Sequence, residues 1–155
     1  MYKRQLTIVN LENGHKEVLD CDLILLCAST ISTLRILLNS EYKSNSSGFN
    51  DNSGKLGKYL MDHISICRFF SVPKAKNSDK SLDNPPPPGY YIHEVGGAPM
   101  GTNEENSVVD KFNRIWRCKN VLVLDGACWP TSSWQSPTLT MMALSRRACL
   151  NIKKI

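Results

Sequence analysis

The chain has 155 residues, 41% hydrophobic and 21% charged, which is the composition of a globular protein of one domain or of two fragments of a larger one. Its formal charge of +5 comes from 19 basic and 14 acidic residues. The basic residues are scattered, with Lys3-Arg4, Arg146-Arg147 and Lys153-Lys154 as the adjacent pairs. That speaks against a nucleic-acid binder, which gathers such residues on one element among aromatics.

In chain order, "MYKRQLTIVN" has a basic start but no apolar stretch of signal-peptide type. If Met1 begins the protein, a reducing, cytoplasmic setting is expected. "QLTIVN" and "HKEVLD" read as two extended segments around "LENG", with Asn13-Gly14 as a favoured hairpin turn and His15 exposed beside it. "DLILLCA" is a continuous apolar run of strand length, the pattern of a strand covered on both faces. Its core, Leu23 to Ala28, is far too short to cross a bilayer, so no membrane is expected as a partner. The run passes through Ser29-Thr30 into "ISTLRILLNS", where Ile31, Leu34, Leu37 and Leu38 recur at helical spacing. Strand, small-residue turn and helix make an α/β unit.

Residues 41–55 are rich in Ser, Asn, Asp and Gly and read as a loop; "GKLGKYLMDHIS" follows, with His63 taken as structural. The prolines from Pro85 favour extended polyproline chain, so residues 67–90 read as a linker. "TNEENSVVD" reads as loop. "KNVLVLDGA" contains an apolar strand, Val121 to Leu124, stopped at Asp125-Gly126. "SPTLTMMALSRRACLNIKKI" is a helix with Ser136 as N-cap and Pro137 at its first position. Met141, Leu144, Ala148 and Ile152 share one face, and Lys153 and Lys154 sit at the end whose dipole favours cations.

Six cysteines, Cys21, Cys27, Cys67, Cys118, Cys128 and Cys149, form no C-x-x-C pair, and no metal site is expected from their spacing. Most lie in apolar runs and read as buried reduced thiols. Trp116, Trp129 and Trp134 read as packing residues rather than as a stacking platform for bases.

The stretch "YYIHEVGGAPMGTN" sets one histidine three residues ahead of a Gly-Gly pair. A dinucleotide cradle needs G-x-G-x-x-G opening a helix after a strand, and the nine glycines never form that pattern. More informative is the strand that runs into Asp125-Gly126-Ala127 and leads across "CWPTSSWQ" to a helix start at Ser-Pro-Thr. Such a start offers free N–H groups, for instance at Thr138, and the positive end of a dipole. Both suit developing negative charge, as on a reduced flavin ring. A neutral histidine nearby, such as His93, can take a proton from an alcohol while a hydride leaves the carbon.

"HEVGGAPMG", "NSVVD", "NVLVLDGACWP" and "SPTLTMMALSRRA", in this order, resemble the C-terminal part of the glucose-methanol-choline (GMC) flavoprotein oxidoreductases. "DLILLCASTISTLRILLNS" and "LGKYLMDH" resemble earlier segments of the same family. The resemblance implies an α/β fold: a partial FAD-binding domain with most of the substrate domain missing. Residues 1–66 would be a partial FAD-binding segment, 67–90 a linker and 91–155 the C-terminal flavin and active-site segment. It further implies FAD as cofactor and a small-molecule alcohol or sugar as substrate, oxidised at a CH–OH group by hydride transfer to flavin N5.

Carried over by position, His93 matches the active-site histidine that assists removal of the alcohol proton. Ser136 matches the second active-site position, usually Asn or His; it is equally explained as a plain N-cap. Asp125, Gly126 and Ala127 match the turn against the flavin's ribityl and phosphate side. Pro137 and Thr138 match the helix start at the pyrimidine edge. Ala28 and Ser29 match a close-approach turn near the adenosine half, with Ser29 standing where glycine is common. The family's Gly-rich phosphate-binding turn is absent, and only 29 residues separate His63 from His93. A complementary N-terminal chain supplying that turn is therefore an expected partner. The alternative reading is a non-catalytic remnant or interaction fragment unable to bind FAD alone.

Overall fold

The computed structural model describes residues 5–40, 51–63 and 90–152. The expected linker falls outside them apart from Tyr90, as do Cys67, Lys153 and Lys154. The hairpin is formed by β1 (Gln5–Val9) and β2 (Lys16–Asp20), antiparallel from Gln5↔Asp20 to Val9↔Lys16. Asn10 organises its turn by accepting the Glu12 N–H at 2.8 Å, and His15 is exposed as expected. Every residue of both strands is exposed.

The central sheet has five short strands in the order β3, β9, β8, β7, β6. They are β3 (Ile24–Leu26), β6 (Met100–Gly101), β7 (Val109–Asp110), β8 (Arg114–Ile115) and β9 (Cys118–Val123). β3 runs parallel to β9, pairing Ile24 with Val121 and Leu26 with Val123. A separate antiparallel ribbon joins β4 (Lys58–Met61) to β5 (Val95–Gly97). Two helices complete the fold: α1 (Thr30–Asn39) directly after β3, and α2 (Thr138–Leu150) after a 3-10 turn at Gly126–Cys128.

β9 is the strand around which the core closes. Side chains alternate across a strand. Val121 and Val123 face a cluster with Leu34 and Leu37 of α1, whereas Leu122 faces one with Leu124 and Ala148 of α2. Burying each such side chain is worth about 1.5–3 kcal/mol. The face expected for α2 is the one that packs: Met141 and Leu144 lie against the first cluster, Ile152 against the second, and Ala148 is buried within it.

Several expectations change. The strand at Ile24–Leu26 is covered unevenly: Leu26 is buried while Leu25 is 46% exposed, although Leu23 packs against the cluster of Leu122, Leu124 and Ala148. The buried stripe of α1 is Thr30, Thr33, Leu34 and Leu37, while Ile31 and Leu38 face outward. The two threonines displace them because their hydroxyls bond across the core. "TNEENSVVD" ends in strand β7 rather than loop. Cys118 and Cys128 are buried, but Cys27 and Cys149 are exposed and Cys21 is half-buried. Burial, reinforced by the charge of Asp125, pushes the Cys128 thiol up to about 12, so it behaves as a small hydrophobe. Trp129 is buried, but Trp134 is 82% exposed and packs little. Among the described residues no helix is long and apolar enough to cross a membrane.

Candidate active site

Two turns and the segment that follows His93 meet at the start of α1. Asp125, at the end of β9, is buried and accepts the Ala127 N–H at 3.0 Å on one oxygen. Its other oxygen accepts the Thr33 hydroxyl at 2.5 Å, and that hydroxyl in turn accepts the Ala28 N–H at 3.3 Å. Burial raises the Asp125 pKa, while the hydrogen bonds from Thr33 and Ala127 oppose the shift. One carboxylate thus ties the Ala28 turn to the Asp125–Ala127 turn.

The strand after His93 is fastened to the same place. Thr30 Oγ1 donates to the Glu94 carbonyl at 2.6 Å, and the Ala98 N–H donates to the Ala127 carbonyl at 2.8 Å. Gly126 leaves no gap there: a Cβ would stand 2.5 Å from Thr30 Oγ1 and 2.9 Å from the Glu94 carbonyl oxygen. The smallness of this residue is used by the protein's own backbone. The Gly-Gly pair has the same explanation. Gly96 and Gly97 both have φ near +92°, and a Cβ at Gly97 would strike Leu34. This is closely packed strand, not a phosphate cradle.

Ser29 has φ 72° and ψ 158°, a region that is essentially glycine's alone. Its carbonyl accepts the Thr33 N–H at 2.8 Å, yet its side chain makes no capping bond to α1. Such strain costs about 1–3 kcal/mol, against about 0.5–1 kcal/mol for glycine's added freedom when unfolded. Ser29→Gly is therefore expected to stabilise the chain by about 1 kcal/mol, read as a higher midpoint in urea denaturation. An unchanged or lowered midpoint would show that the serine is not strained.

The start of α2 forms a second neighbourhood. Pro137 is buried, has helical dihedrals and accepts the Met141 N–H at 2.9 Å, and regular helix is counted from Thr138, one residue later than the sequence suggests. Ser136 is exposed, and its hydroxyl makes no hydrogen bond among the described residues, so the expected capping bond is not formed. A cleft of about 280 Å³ opens here, lined by Trp129, Ser133, Gln135, Ser136, Thr140 and Leu144 among others. Trp129 is 8% exposed, and its indole N–H is buried without a partner among the described residues. A buried orphan donor beside free helix N–H groups suits a flat, polar-edged ring such as a flavin.

The predicted residues thus fall into two groups. Ala28, Ser29, Asp125, Gly126 and Ala127 gather with the strand following His93, while Ser136, Pro137 and Thr138 belong to the cleft at α2. Among the described residues no hydrogen bond or ring contact joins His93 to Ser136. His93 instead meets His63, which sequence reading left as structural: His63 Nε2 lies 2.9 Å from His93 Nδ1. The signal that finds His63 is strand register, which composition does not carry. Thr30, Thr33 and the Trp129 N–H were likewise missed.

Comparison with known proteins finds a family model that matches part of the chain. The model described as GMC oxidoreductase matches residues 77–145, which include His93, the Asp125–Ala127 turn and the start of α2. Over that segment the chain is similar to the GMC oxidoreductases. It is 33% identical over 102 residues to a 2-methyl-1,2-propanediol dehydrogenase of Mycolicibacterium austroafricanum, covering 64% of this chain and 17% of that protein. It is 38% identical over 59 residues to a cholesterol oxidase of Acinetobacter baumannii, 38% of this chain and 11% of the relative. Against the fructose dehydrogenase large subunit of Gluconobacter japonicus it is 33% identical over 98 residues, 60% and 17%. The aligned part of the chain thus spans between 11% and 17% of the length of these relatives.

Proposed function

We propose that this chain supplies the alcohol-facing part of an FAD-dependent oxidoreductase acting on CH–OH groups, with His93 as the base that takes the hydroxyl proton. Bound FAD would supply the hydride acceptor. Residues of the α2 start (Ser136, Pro137, Thr138 and the Trp129 N–H) would hold the flavin's polar edge, and Ser136 would donate one hydrogen bond to the substrate oxygen. Asp125, Gly126 and Ala127, with Ala28 and Ser29, would line the ribityl and adenosine side. The carrying observation is the fastening of the His93 strand to the Asp125–Ala127 turn through Thr30 to Glu94 and Ala98 to Ala127. A base works only when it is held in place against the reacting group.

The grip on the dinucleotide would come from a segment with a Gly-rich turn, in the same polypeptide or a second one. The exposure of Leu25 in β3 supports this, since parallel strands are ordinarily covered on both faces. The same observation favours the second reading, a remnant that binds no FAD. Reconstitution separates them. The chain is mixed with FAD, alone and with a segment carrying G-x-G-x-x-G, then desalted, and the yellow absorbance is measured before and after anaerobic addition of an alcohol. Retained colour that bleaches with the alcohol is expected in the second mixture; a colourless protein in both supports the remnant.

A further inference from the structure

The β4–β5 ribbon pairs Met61 with Val95. Two residues beyond that pair on each chain, just past the ends of the strands, stand His63 and His93. Their rings meet edge to face, 84° apart with centroids 5.0 Å apart, and Nε2 of His63 faces Nδ1 of His93 at 2.9 Å. The pairing of the ribbon thus brings the two rings together just past its end. His63 is further held by its own N–H, which donates to Asp62 Oδ1 at 2.6 Å, and by the Tyr91 ring edge-on at 6.1 Å. Its Nδ1 is buried and has no partner among the described residues.

Of two facing imidazole nitrogens, one carries the hydrogen and the other accepts it. A neutral His93 that takes a proton at Nε2 must carry its own hydrogen at Nδ1, and Nδ1–H then needs an acceptor. His63 Nε2 stands where that acceptor must be. Once His93 is protonated, the same bond has a charged donor and is roughly twice as strong as its neutral form. A second hydrogen on His63, at Nε2, would leave two donors facing each other with no acceptor between them.

We infer that His63 is a positioning residue that fixes His93 in the Nδ1–H tautomer and steadies its protonated form. This rests on the reading of His93 as the base. His63 itself then carries hydrogen on its buried Nδ1, a cost that the charge-assisted bond offsets.

Nitrogen-15 NMR of the full chain labelled in its imidazoles reads the tautomer without any cofactor. In the wild type, His93 is expected to give a pyrrole-like Nδ1 and a pyridine-like Nε2 at neutral pH. His63→Phe should reverse the two, returning His93 to the Nε2–H form that a free imidazole favours. His63→Gln offers an amide oxygen as acceptor and should keep the wild-type pattern. Hydrogen on Nε2 in the wild type, or the same tautomer in His63→Phe, overturns the inference. Should His63→Phe lose the dispersed signals of its core, the wild type and His63→Gln decide: loss of the Nδ1–H form in a folded His63→Gln counts against it. The base reading fails separately, if His93→Ala leaves flavin reduction in the FAD-loaded enzyme undiminished while the wild-type tautomer is as described.

Discussion

Gly96→Ala is expected to destabilise the chain by about 3 kcal/mol or more, a large part of the roughly 5–15 kcal/mol that holds such a domain together. Two costs add. The φ of +92° lies where an L side chain is strained, worth about 1–2 kcal/mol. A Cβ there would also stand 2.4 Å from the Tyr59 carbonyl oxygen and 2.9 Å from the Met61 methyl, and overpacking of this kind costs about 1–3 kcal/mol. The Met61 methyl can swing aside; the Tyr59 carbonyl belongs to the partner strand and cannot move without opening the ribbon that carries His93. Urea denaturation followed by far-UV circular dichroism reads the loss as a fall in midpoint. A midpoint within a few tenths of a kcal/mol of the wild type would mean that the β4–β5 ribbon is not packed as described.

The second large effect concerns chemistry. In the FAD-loaded, assembled enzyme, His93→Ala is expected to slow anaerobic flavin reduction by an alcohol about 10²- to 10⁴-fold, the usual contribution of a positioned base. The stability of the protein should change little by comparison, since His93 is half-buried and its ring bonds only to His63 among the described residues. If the rate holds, the hydroxyl proton leaves by another route and His93 is a structural partner of His63.

Elements governed by local pattern were legible in the sequence. The hairpin followed from its Asn-Gly turn, and the packed face of α2 from the spacing of Met141, Leu144, Ala148 and Ile152. What failed depended on distant parts of the chain. Ile31 and Leu38 fit a helical stripe as well as Thr30 and Thr33 do, and hydrophobicity ranks them higher. The threonines are inside because their hydroxyls reach Glu94 and Asp125, contacts no window of sequence contains. Leu25 was misjudged for a related reason: an apolar run reports what a strand is suited to touch, not whether a cover is present. At the candidate site the His93 segment, the Asp125 turn and the α2 start were readable as motifs. His63 was not, because its relation to His93 passes through the register of a ribbon whose strands are separated by an unrelated stretch.

The bond from Thr33 to Asp125 spans 92 residues, and β3 has its sheet partner equally late in the chain. A ribosome making this protein releases the first helix long before the groups that secure it exist. Contacts of such reach are slow to close, and their unmatched apolar edges invite the wrong neighbours in the interval. Products cut short before residue 125 would then be the most aggregation-prone species this coding region yields, and chaperone demand should fall once that aspartate has emerged.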